Sequence, residues 1–312
     1  MDKLINKAMR ILITGSNGFL GQKVIEKCLD KKDITIFGVS KSKNRNIYLP
    51  EENFRQVDIT DFEALLNIFN TFGPTHIIHT AAITSVEACE EDQDNCERVN
   101  VLTTEKIAEY CNGTGSHLTF ISTDFVFDGK DGPYREGDPT APCNAYGQSK
   151  LEAEQRIIQT GCNHAILRTI LVYGAIADKN RSNIVLWGKN KLSQSETISV
   201  VNDQWRMPTW VDDLADACIL AVEKRAQGVF HISSNQLFSI LEIVQQVAKF
   251  WKLNPDLIKP ISAEAIGQAR NRPQKTGFIL TKAEEELAFR PTPLLRSFEI
   301  MKQQLERFET YG

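Results

Sequence analysis

Several features that would indicate a function at first sight are missing from this chain of 312 residues. Its seven cysteines form no CxxC pair, so the sequence predicts neither a disulfide framework nor a zinc site, and thiols scattered through a core fit better. No apolar run approaches the roughly 20 residues of a membrane-spanning helix, and the run at 11–13 is too short for a signal-peptide core. We therefore expect a cytoplasmic protein that does not bind a membrane.

Concentrated positive charge is missing as well. Lysines and arginines total 36 against 40 aspartates and glutamates, and their interspersed positions leave no basic surface for nucleic acid. No group of histidines, cysteines or carboxylates suggests a metal site, and His76 and His79 flank a predicted strand, which fits core or loop positions. At 42% hydrophobic residues, the chain can build one large core with a smaller dependent lobe.

Short β-branched runs alternate with amphipathic segments in the first half of the chain. Predicted strands lie at 10–14, 34–39, 53–57, 76–79, 117–122 and 164–170, and predicted helices at 18–30, 61–72, 97–112 and 144–160. This alternation is typical of an α/β fold with a Rossmann-type doubly wound parallel sheet. The strand ends that bind ligands would then share one edge.

The regularity lapses after Gly174. A polar stretch at 178–196 is followed by a strand, a helix at 211–224 and a strand at 228–232, which we interpret as a return to the sheet. Beyond Phe238 the pattern is helical and then rich in loops and prolines. We predict that residues 1–174, completed by 198–234, form the sheet domain, and that 175–197 and 235–312 form a small substrate-binding lobe.

The first predicted strand runs into Thr14-Gly15-Ser16-Asn17-Gly18-Phe19-Leu20-Gly21, which has the form TGxxGxxG. Such glycines permit a tight turn and a close approach of the backbone to a pyrophosphate, and the helix N-terminus that follows favours an anion. Ordinary strand-to-helix turns also use glycine, but the position between a strand and an amphipathic helix favours a dinucleotide site. The expected contacts are Gly15, Asn17, Gly18, Phe19 and Leu20.

The end of the second predicted strand bears on the choice of dinucleotide. It runs into Ser40-Lys41-Ser42-Lys43-Asn44-Arg45, which contains no acid for a ribose hydroxyl and three cations for a 2′-phosphate. The alternative is a solvated basic loop. We therefore expect NADP(H), with NAD(H) as the second choice, and contacts from Ser40, Lys41 and Arg45.

Four further positions are expected at the dinucleotide. Asp58 and Ile59 could bind the adenine, although Asp58, Thr60 or Asp61 could instead cap the helix that follows. Small residues at Ala81 and Ala82 let a cofactor lie against the backbone. The remaining expected contacts are Asn100, in the next predicted helix, and Thr169.

Tyr146 and Lys150 stand four residues apart in a predicted helix, which puts both on one face. A neighbouring ammonium stabilises phenolate, so we expect Lys150 to lower the pKa of Tyr146 and to hold a nicotinamide ribose. A surface helix could carry the same pair by chance. Thr123, however, ends a strand at the ligand edge, where its hydroxyl could bind the carbonyl oxygen that Tyr146 protonates. The three residues together predict a catalytic group.

Five motifs are specific enough to compare with known families. They are Ser122-Thr123-Asp124-Phe125-Val126-Phe127-Asp128-Gly129, Tyr146-Gly147-Gln148-Ser149-Lys150-Leu151, Arg168-Thr169 with Val172-Tyr173-Gly174, Asn202-Asp203-Gln204 with Pro208-Thr209, and Arg272-Pro273. With them the chain resembles the extended short-chain dehydrogenase/reductases, and within these the dTDP-4-dehydrorhamnose reductases, over nearly its whole length. The resemblance implies a seven-stranded Rossmann domain, a small substrate lobe, and hydride delivery from NADPH to the C4 ketone of a nucleotide-linked 6-deoxyhexulose.

The resemblance carries catalysis to Thr123, Tyr146 and Lys150. The other expected substrate contacts are Thr84, Asp124, Phe125, Arg206 and Arg272, the two arginines binding the diphosphate. Either arginine could instead form a salt bridge between lobes or lie in solvent. This chain departs from the family pattern at Phe125, where Tyr is usual, at Leu171, where Trp is usual, and at Arg206, where Gly is usual. The loss of the Trp leaves the particular sugar open.

Two other functions remain open on the same fold. One is a sugar-nucleotide epimerase with retained NAD(P), whereas Phe125, in place of the Glu of a Thr-Asp-Glu pattern, argues against a dehydratase. The other is a non-catalytic regulatory NADP-binding subunit, like the β subunit of methionine adenosyltransferase, which resembles these reductases. The expected partner is a sugar nucleotide, and whether the chain forms a homodimer is left open.

Overall fold

The computed structural model describes residues 9–29, 31–178, 181–268 and 271–310. Its strands are Met9–Thr14 (β1), Ile34–Ser40 (β2), Phe54–Gln56 (β3), His76–His79 (β4), His117–Thr123 (β5), His164–Thr169 (β6), Val172–Tyr173 (β7), Ile198–Val201 (β8), Trp205–Arg206 (β9), Thr209–Trp210 (β10), Gly228–Ile232 (β11), Phe238–Ser239 (β12) and Ile258–Ile261 (β13). Its α-helices are Phe19–Cys28 (α1), Phe62–Phe72 (α2), Val86–Glu91 (α3), Gln93–Glu97 (α4), Thr103–Thr114 (α5), Ala145–Thr160 (α6), Ile184–Ser193 (α7), Val211–Lys224 (α8), Ile240–Trp251 (α9) and Leu294–Thr310 (α10). Residue 30, where the predicted helix at 18–30 ends, lies outside the described residues.

The central sheet has seven strands in the order β11-β6-β5-β4-β1-β2-β3, and every pair is parallel. The predicted doubly wound α/β fold is therefore confirmed. The strand order changes direction between β1 and β4, where Thr14 is in register with His79. A crevice at such a point is the usual ligand site of an open parallel sheet.

Both faces of the sheet are covered, which explains the nearly continuous apolar runs of its central strands. On one face Ile11 and Ile13 pack in a cluster with α1 and α8, which contribute residues such as Val24 and Leu214. On the other face Leu12 packs in a cluster with α2, α5 and α6. Alternate residues of β1 thus point into two separate cores.

The second half of the chain departs from the prediction in three places. The polar stretch at 178–196 contains α7, whose Val185 and Leu192 are buried beside α9. The strand after it, β8, does not return to the central sheet but pairs with β13, which the sequence did not reveal. A long helix, α10, replaces part of the predicted loop-rich end. Only β11 joins β6 in the central sheet as expected, and the predicted lobe boundaries stay a prediction.

The prediction that the cysteines form no disulfide is wrong for one pair. Cys89 in α3 and Cys96 in α4 form a disulfide with their Cα atoms 5.2 Å apart. The two short helices meet at Asp92, which ends α3 and whose side chain caps α4, and this turn brings the cysteines together. The two cysteines are seven positions apart, so the CxxC pattern does not indicate this pair. Cys28, Cys111, Cys162 and Cys218 are buried free thiols, as expected for core positions.

Among the residues described, no helix combines the length and the apolar character needed to cross a membrane.

Candidate active site

A cleft of about 660 Å³ opens at the carboxyl ends of the central strands. Predicted site residues that line it are Gly15, Gly18, Phe19, Leu20, Ser40, Lys41, Asp58, Ile59, Ala81, Ala82, Thr84, Thr123, Asp124, Tyr146, Lys150 and Thr169. The structure places six others outside this lining, namely Asn17, Arg45, Asn100, Phe125, Arg206 and Arg272. One cleft therefore joins the predicted dinucleotide loop to the predicted catalytic group.

The glycine loop is held closely against the end of β4. Gly15 has a φ of +70°, and a Cβ atom there would lie 2.8 Å from the backbone nitrogen of Ala81. A Cβ at Gly21 would collide with the carbonyl oxygen of Gly15. These two positions therefore require glycine, and the loop can present bare backbone to a ligand.

Asn17 joins the glycine loop to the basic loop at 40–45. Its side-chain nitrogen donates to the carbonyl oxygen of Lys43 at 2.8 Å and to the hydroxyl of Ser42 at 3.0 Å. Its side-chain oxygen accepts from the backbone N–H of Arg45 at 2.9 Å. Asn17 thus positions the basic loop, and the prediction that it also binds a cofactor stays a prediction.

Two cations of the basic loop, Lys41 and Arg45, already have carboxylate partners. The Nζ atom of Lys41 lies 2.8 Å from Asp58, and the guanidinium of Arg45 lies 3.7 Å from Asp178. The hydrogen bond from Lys41, aided by Thr60, lowers the pKa of Asp58 to about 2. Asp58 does not cap α2, because Asp61 accepts the capping bond from the N–H of Ala64. A 2′-phosphate would therefore compete with Asp58 for Lys41.

Helix α6, which carries the predicted catalytic residues Tyr146 and Lys150, begins beside the end of β5. Asn144 caps it by accepting from the N–H of Gly147, and a Cβ at Gly147 would collide with the carbonyl oxygen of Phe125. This close packing brings Tyr146 near Thr123, close enough for the Thr123 hydroxyl to affect the pKa of the phenol. The three predicted catalytic residues are therefore brought together in the cleft.

Burial is the main cause of the pKa shifts of the predicted catalytic residues Tyr146 and Lys150. It raises the pKa of Tyr146 well above that of free tyrosine, although the hydrogen bond from Thr123 acts in the opposite direction. Burial also lowers the pKa of Lys150 to about 7, while Glu154 opposes this shift. The expected lowering of the Tyr146 pKa is therefore not found, because removing the phenolate from water costs more than the contact with Thr123 returns.

A buried ion pair lies one helical turn beyond Lys150. The guanidinium of Arg168 contacts both carboxylate oxygens of Glu154, at 2.7 and 3.0 Å, and Ser122 donates to the same carboxylate at 2.5 Å. These bonds fix α6 against β5 and β6, and thereby fix the depth of Lys150 in the cleft.

Asn100 lies in a π-helical turn at 98–102 and is buried. Its side chain bonds both the N–H and the carbonyl oxygen of Ile83 and donates to Ser149 at 3.0 Å. It thus connects the loop after β4 to α6. These contacts support a positioning role, and the predicted cofactor contact of Asn100 is untested.

Asp124 and Arg206 form a second buried group behind Thr123. The carboxylate of Asp124 lies 3.7 Å from Arg206 and accepts from the hydroxyl of Thr276 at 2.5 Å. Burial raises the pKa of Asp124, although Arg206 acts against the shift. The Arg206 guanidinium also donates to the carbonyl oxygens of Pro273 and Gln274. The guanidinium of Arg206 thus donates its hydrogen bonds to groups of the protein itself. Its predicted role at a substrate diphosphate stays a prediction.

The other two substrate candidates outside the cleft lining also have protein partners. The guanidinium nitrogen of Arg272 lies 2.5 Å from a carboxylate oxygen of Glu87. The ring of Phe125 packs edge-on against the ring of Tyr146, with the ring centres 6.0 Å apart.

Sequence reasoning missed several residues of the cleft wall. These include Arg98, Leu171, Arg181 and Leu214. Leu171 has a φ of +40°, which is uncommon for a branched side chain and is typical of functional sites. The motif Val172-Tyr173-Gly174 marked this neighbourhood, but Arg181 stands in the polar stretch that the periodicity had left unassigned. Within the described residues, no group of three or more His, Cys, Asp or Glu side chains could hold a metal.

Residues 9–306 match the RmlD substrate binding domain family. The chain belongs to this family. The resemblance to extended short-chain dehydrogenase/reductases, and to dTDP-4-dehydrorhamnose reductases among them, is thereby confirmed.

The chain is similar both to proteins named as subunits of another enzyme and to proteins named as reductases. The methionine adenosyltransferase 2 subunit beta of Xenopus tropicalis is 30% identical over 292 residues, covering 91% of this chain and 84% of that protein. The dTDP-4-dehydrorhamnose reductase of Bacillus anthracis, solved in complex with NADP, is 28% identical with a TM-score of 0.82, covering 95% of this chain and 99% of that one. The reductase of Clostridium acetobutylicum is 27% identical with a TM-score of 0.82, covering 96% and 100%.

Proposed function

We propose that this protein reduces the 4-keto group of a nucleotide-linked 6-deoxyhexulose with NADPH. The observation that carries the proposal is one cleft that contains the glycine loop at one end and Thr123, Tyr146 and Lys150 at the other. Membership of the RmlD family and the likeness to a reductase solved with NADP support the same reaction class.

The residues of the cleft fit a nicotinamide dinucleotide. Gly15 and Gly18 leave the backbone bare where a pyrophosphate would approach. In the described part of the chain, no side chain caps the start of α1, so its first N–H groups are left for an anion. When bound, the reduced nicotinamide supplies the hydride that the reaction needs.

The side chains of the protein then supply the proton. The buried phenol of Tyr146 keeps its proton at neutral pH, which is the form that an acid needs in the direction of reduction. Tyr146 donates this proton to the carbonyl oxygen, which Thr123 holds by a second hydrogen bond. Lys150, one helical turn further along α6, stabilises the phenolate that remains.

The test is consumption of NADPH by the purified chain with a panel of 4-keto sugar nucleotides, with identification of the product. We expect stoichiometric conversion of NADPH and ketone to NADP⁺ and alcohol. Interconversion of two sugar nucleotides without net NADPH consumption would indicate an epimerase. A protein that binds the dinucleotide but turns over no substrate would contradict the reductase.

We propose a non-catalytic subunit as the second candidate, because the methionine adenosyltransferase 2 subunit beta matches nearly the whole chain at 30% identity. The test is size-exclusion chromatography of this chain with a methionine adenosyltransferase catalytic chain, with and without NADP. A complex that forms, combined with no turnover in the panel above, would favour the subunit. Turnover without a complex would favour the reductase.

A further inference from the structure

A loop connects β7 to α7 and reaches the mouth of the cleft. We call its described residues, 174–178 and 181–183, the strap. The side-chain nitrogen of Asn183 donates to the carbonyl oxygen of Gly174 at 2.9 Å, and the side-chain oxygen of Asn183 caps α7. Ala175 is buried in the core beside α7. Both ends of the strap are therefore anchored to the fold.

The strap contacts the two loops that surround the proposed dinucleotide. The guanidinium of Arg181 donates to the backbone carbonyl of Asn17, in the glycine loop, at 3.3 Å. Asp178 lies 3.7 Å from Arg45 of the basic loop. Arg181 also lines the cleft together with Gly18 and Phe19, the residues that begin α1. Its guanidinium is therefore held beside the N-terminus of that helix.

The distribution of charge shows what Arg181 could bind. Lys41 and Arg45 have carboxylate partners, Arg98 donates to the side chain of Asn95 at 2.9 Å, and Lys150 lies in the cleft on the same helix as Tyr146. Within the described residues Arg181 forms no ion pair with a carboxylate, and its hydrogen bond to Asn17 uses one of the five N–H donors of a guanidinium. A pyrophosphate carries two negative charges, whereas a helix N-terminus supplies only about half a positive charge.

We propose that Arg181 binds the pyrophosphate of the nicotinamide dinucleotide, an inference that rests on the proposed function. A guanidinium suits this role because its planar fork can donate two parallel hydrogen bonds to phosphate oxygens. Arg181 thereby complements the backbone N–H groups of α1 from the opposite side. It contributes to affinity for NADPH and NADH alike, whereas Lys41 and Arg45 discriminate between them.

The experiment measures dissociation constants for NADPH and for NADH by titration calorimetry in the wild type, Arg181→Ala and Arg181→Lys. Arg296→Ala, on the exposed face of α10, is the matched control. We expect Arg181→Ala to weaken both dinucleotides about tenfold, since a charge-assisted hydrogen bond is lost from each. Arg181→Lys keeps the charge but not the planar fork, so it should weaken binding of both dinucleotides less than Arg181→Ala does. Arg296→Ala should change neither dissociation constant. Thermal unfolding of each variant establishes that it is folded.

Each other outcome overturns a defined part of the proposal. Weaker binding of NADPH alone would move Arg181 to the 2′-phosphate and refute the pyrophosphate contact. Unchanged dinucleotide binding with a raised KM for the sugar nucleotide would assign Arg181 to the substrate diphosphate instead. Unchanged values for all ligands would refute any binding role. If the wild type bound neither dinucleotide, the proposed function itself would fail, which the calorimetry distinguishes from a defect of the variant.

Discussion

The ammonium nitrogen of Lys150 lies 3.9 Å from the centre of the ring of Phe120, a residue of β5. The face of an aromatic ring attracts a cation, but more weakly than water does. Burying the charged form of Lys150 therefore lowers the free energy of unfolding, and this effect can be measured.

Replacing Lys150 should stabilise the protein near neutral pH while removing activity. Its pKa is about 7 in the folded protein and 10.5 in the unfolded chain, so between these values the unfolded chain binds more protons. The free energy of unfolding contributed by Lys150 therefore rises with pH across this window. Lys150→Met should lack this rise and should be more stable at pH 7 by roughly 4 kcal/mol, since the pKa falls from 10.5 to about 7.

The measurement is denaturant unfolding of the wild type and Lys150→Met from pH 6.5 to 10. The exposed Lys302→Met is the control for loss of a surface charge. A variant that is less stable than the wild type at pH 7 would show that the ammonium is well solvated or paired.

Tyr146→Phe should lose turnover and keep its affinity for the dinucleotide, because the substitution removes only the transferable proton. General acid catalysis is typically worth ~10²–10⁴ in rate. Turnover and the dissociation constant for NADPH should be measured side by side. If more than about half of the activity remained, a different proton donor would be required.

The double variant Lys41→Ala with Arg45→Ala should lower the preference for NADPH over NADH. Both cations must leave Asp58 and Asp178 to meet a 2′-phosphate, so the expected fall in the ratio of kcat/KM values is moderate, about tenfold. Lys189→Ala on α7 is a suitable control. A wild-type preference for NADH, or an unchanged ratio, would contradict the prediction that the basic loop recognises NADP(H).

Arg206→Ala should destabilise the protein, because it leaves the buried Asp124 without its cation and removes the guanidinium donor of the Pro273 carbonyl oxygen. Breaking a buried pair costs about 3–5 kcal/mol. Adding Asp124→Asn should recover part of this loss, since the uncompensated charge is then gone. Unchanged stability with a KM for the sugar nucleotide raised about tenfold would instead assign Arg206 to the substrate diphosphate.

Reduction of the Cys89–Cys96 disulfide should lower the free energy of unfolding by about 2–3 kcal/mol, because the unfolded chain regains the freedom of a short loop. Non-reducing peptide mapping checks the bond, and denaturant unfolding with and without a phosphine reductant checks its effect. Cys143→Ala removes an exposed free thiol and serves as the control. Alkylation of Cys89 and Cys96 in unreduced, unfolded protein would contradict the pairing.

The sequence predicted the elements whose signals are local. Strands β1, β4 and β5 were recognisable because they are buried on both faces, and Gly15 and Gly21 because both belong to one short glycine motif. The catalytic spacing of Tyr146 and Lys150 is a property of one helix. Such features depend on neighbours within a few residues, which a sequence displays directly.

Features that depend on distant parts of the chain were missed or misjudged. The pairing of β8 with β13 joins segments 60 residues apart in register, so neither segment alone reveals it. The pKa of Tyr146 depends on its burial, which is set by the packing of α6 on the turn after β5. Likewise, Arg206 donates to carbonyl oxygens of residues 273–274, and the sequence around position 206 does not indicate these partners.

The bond between Thr276 and Asp124 spans 152 residues and lies directly behind Thr123. During synthesis, β5 and α6 emerge from the ribosome long before Thr276 does, and domains generally begin to fold from the N-terminal side. The nascent chain must therefore hold Asp124 without this partner for nearly half of the translation time, since 152 of the 312 residues separate the two. The end of the cleft that contains Thr123 acquires this support only when the segment with Thr276 docks, so a product terminated before it would expose an incomplete site.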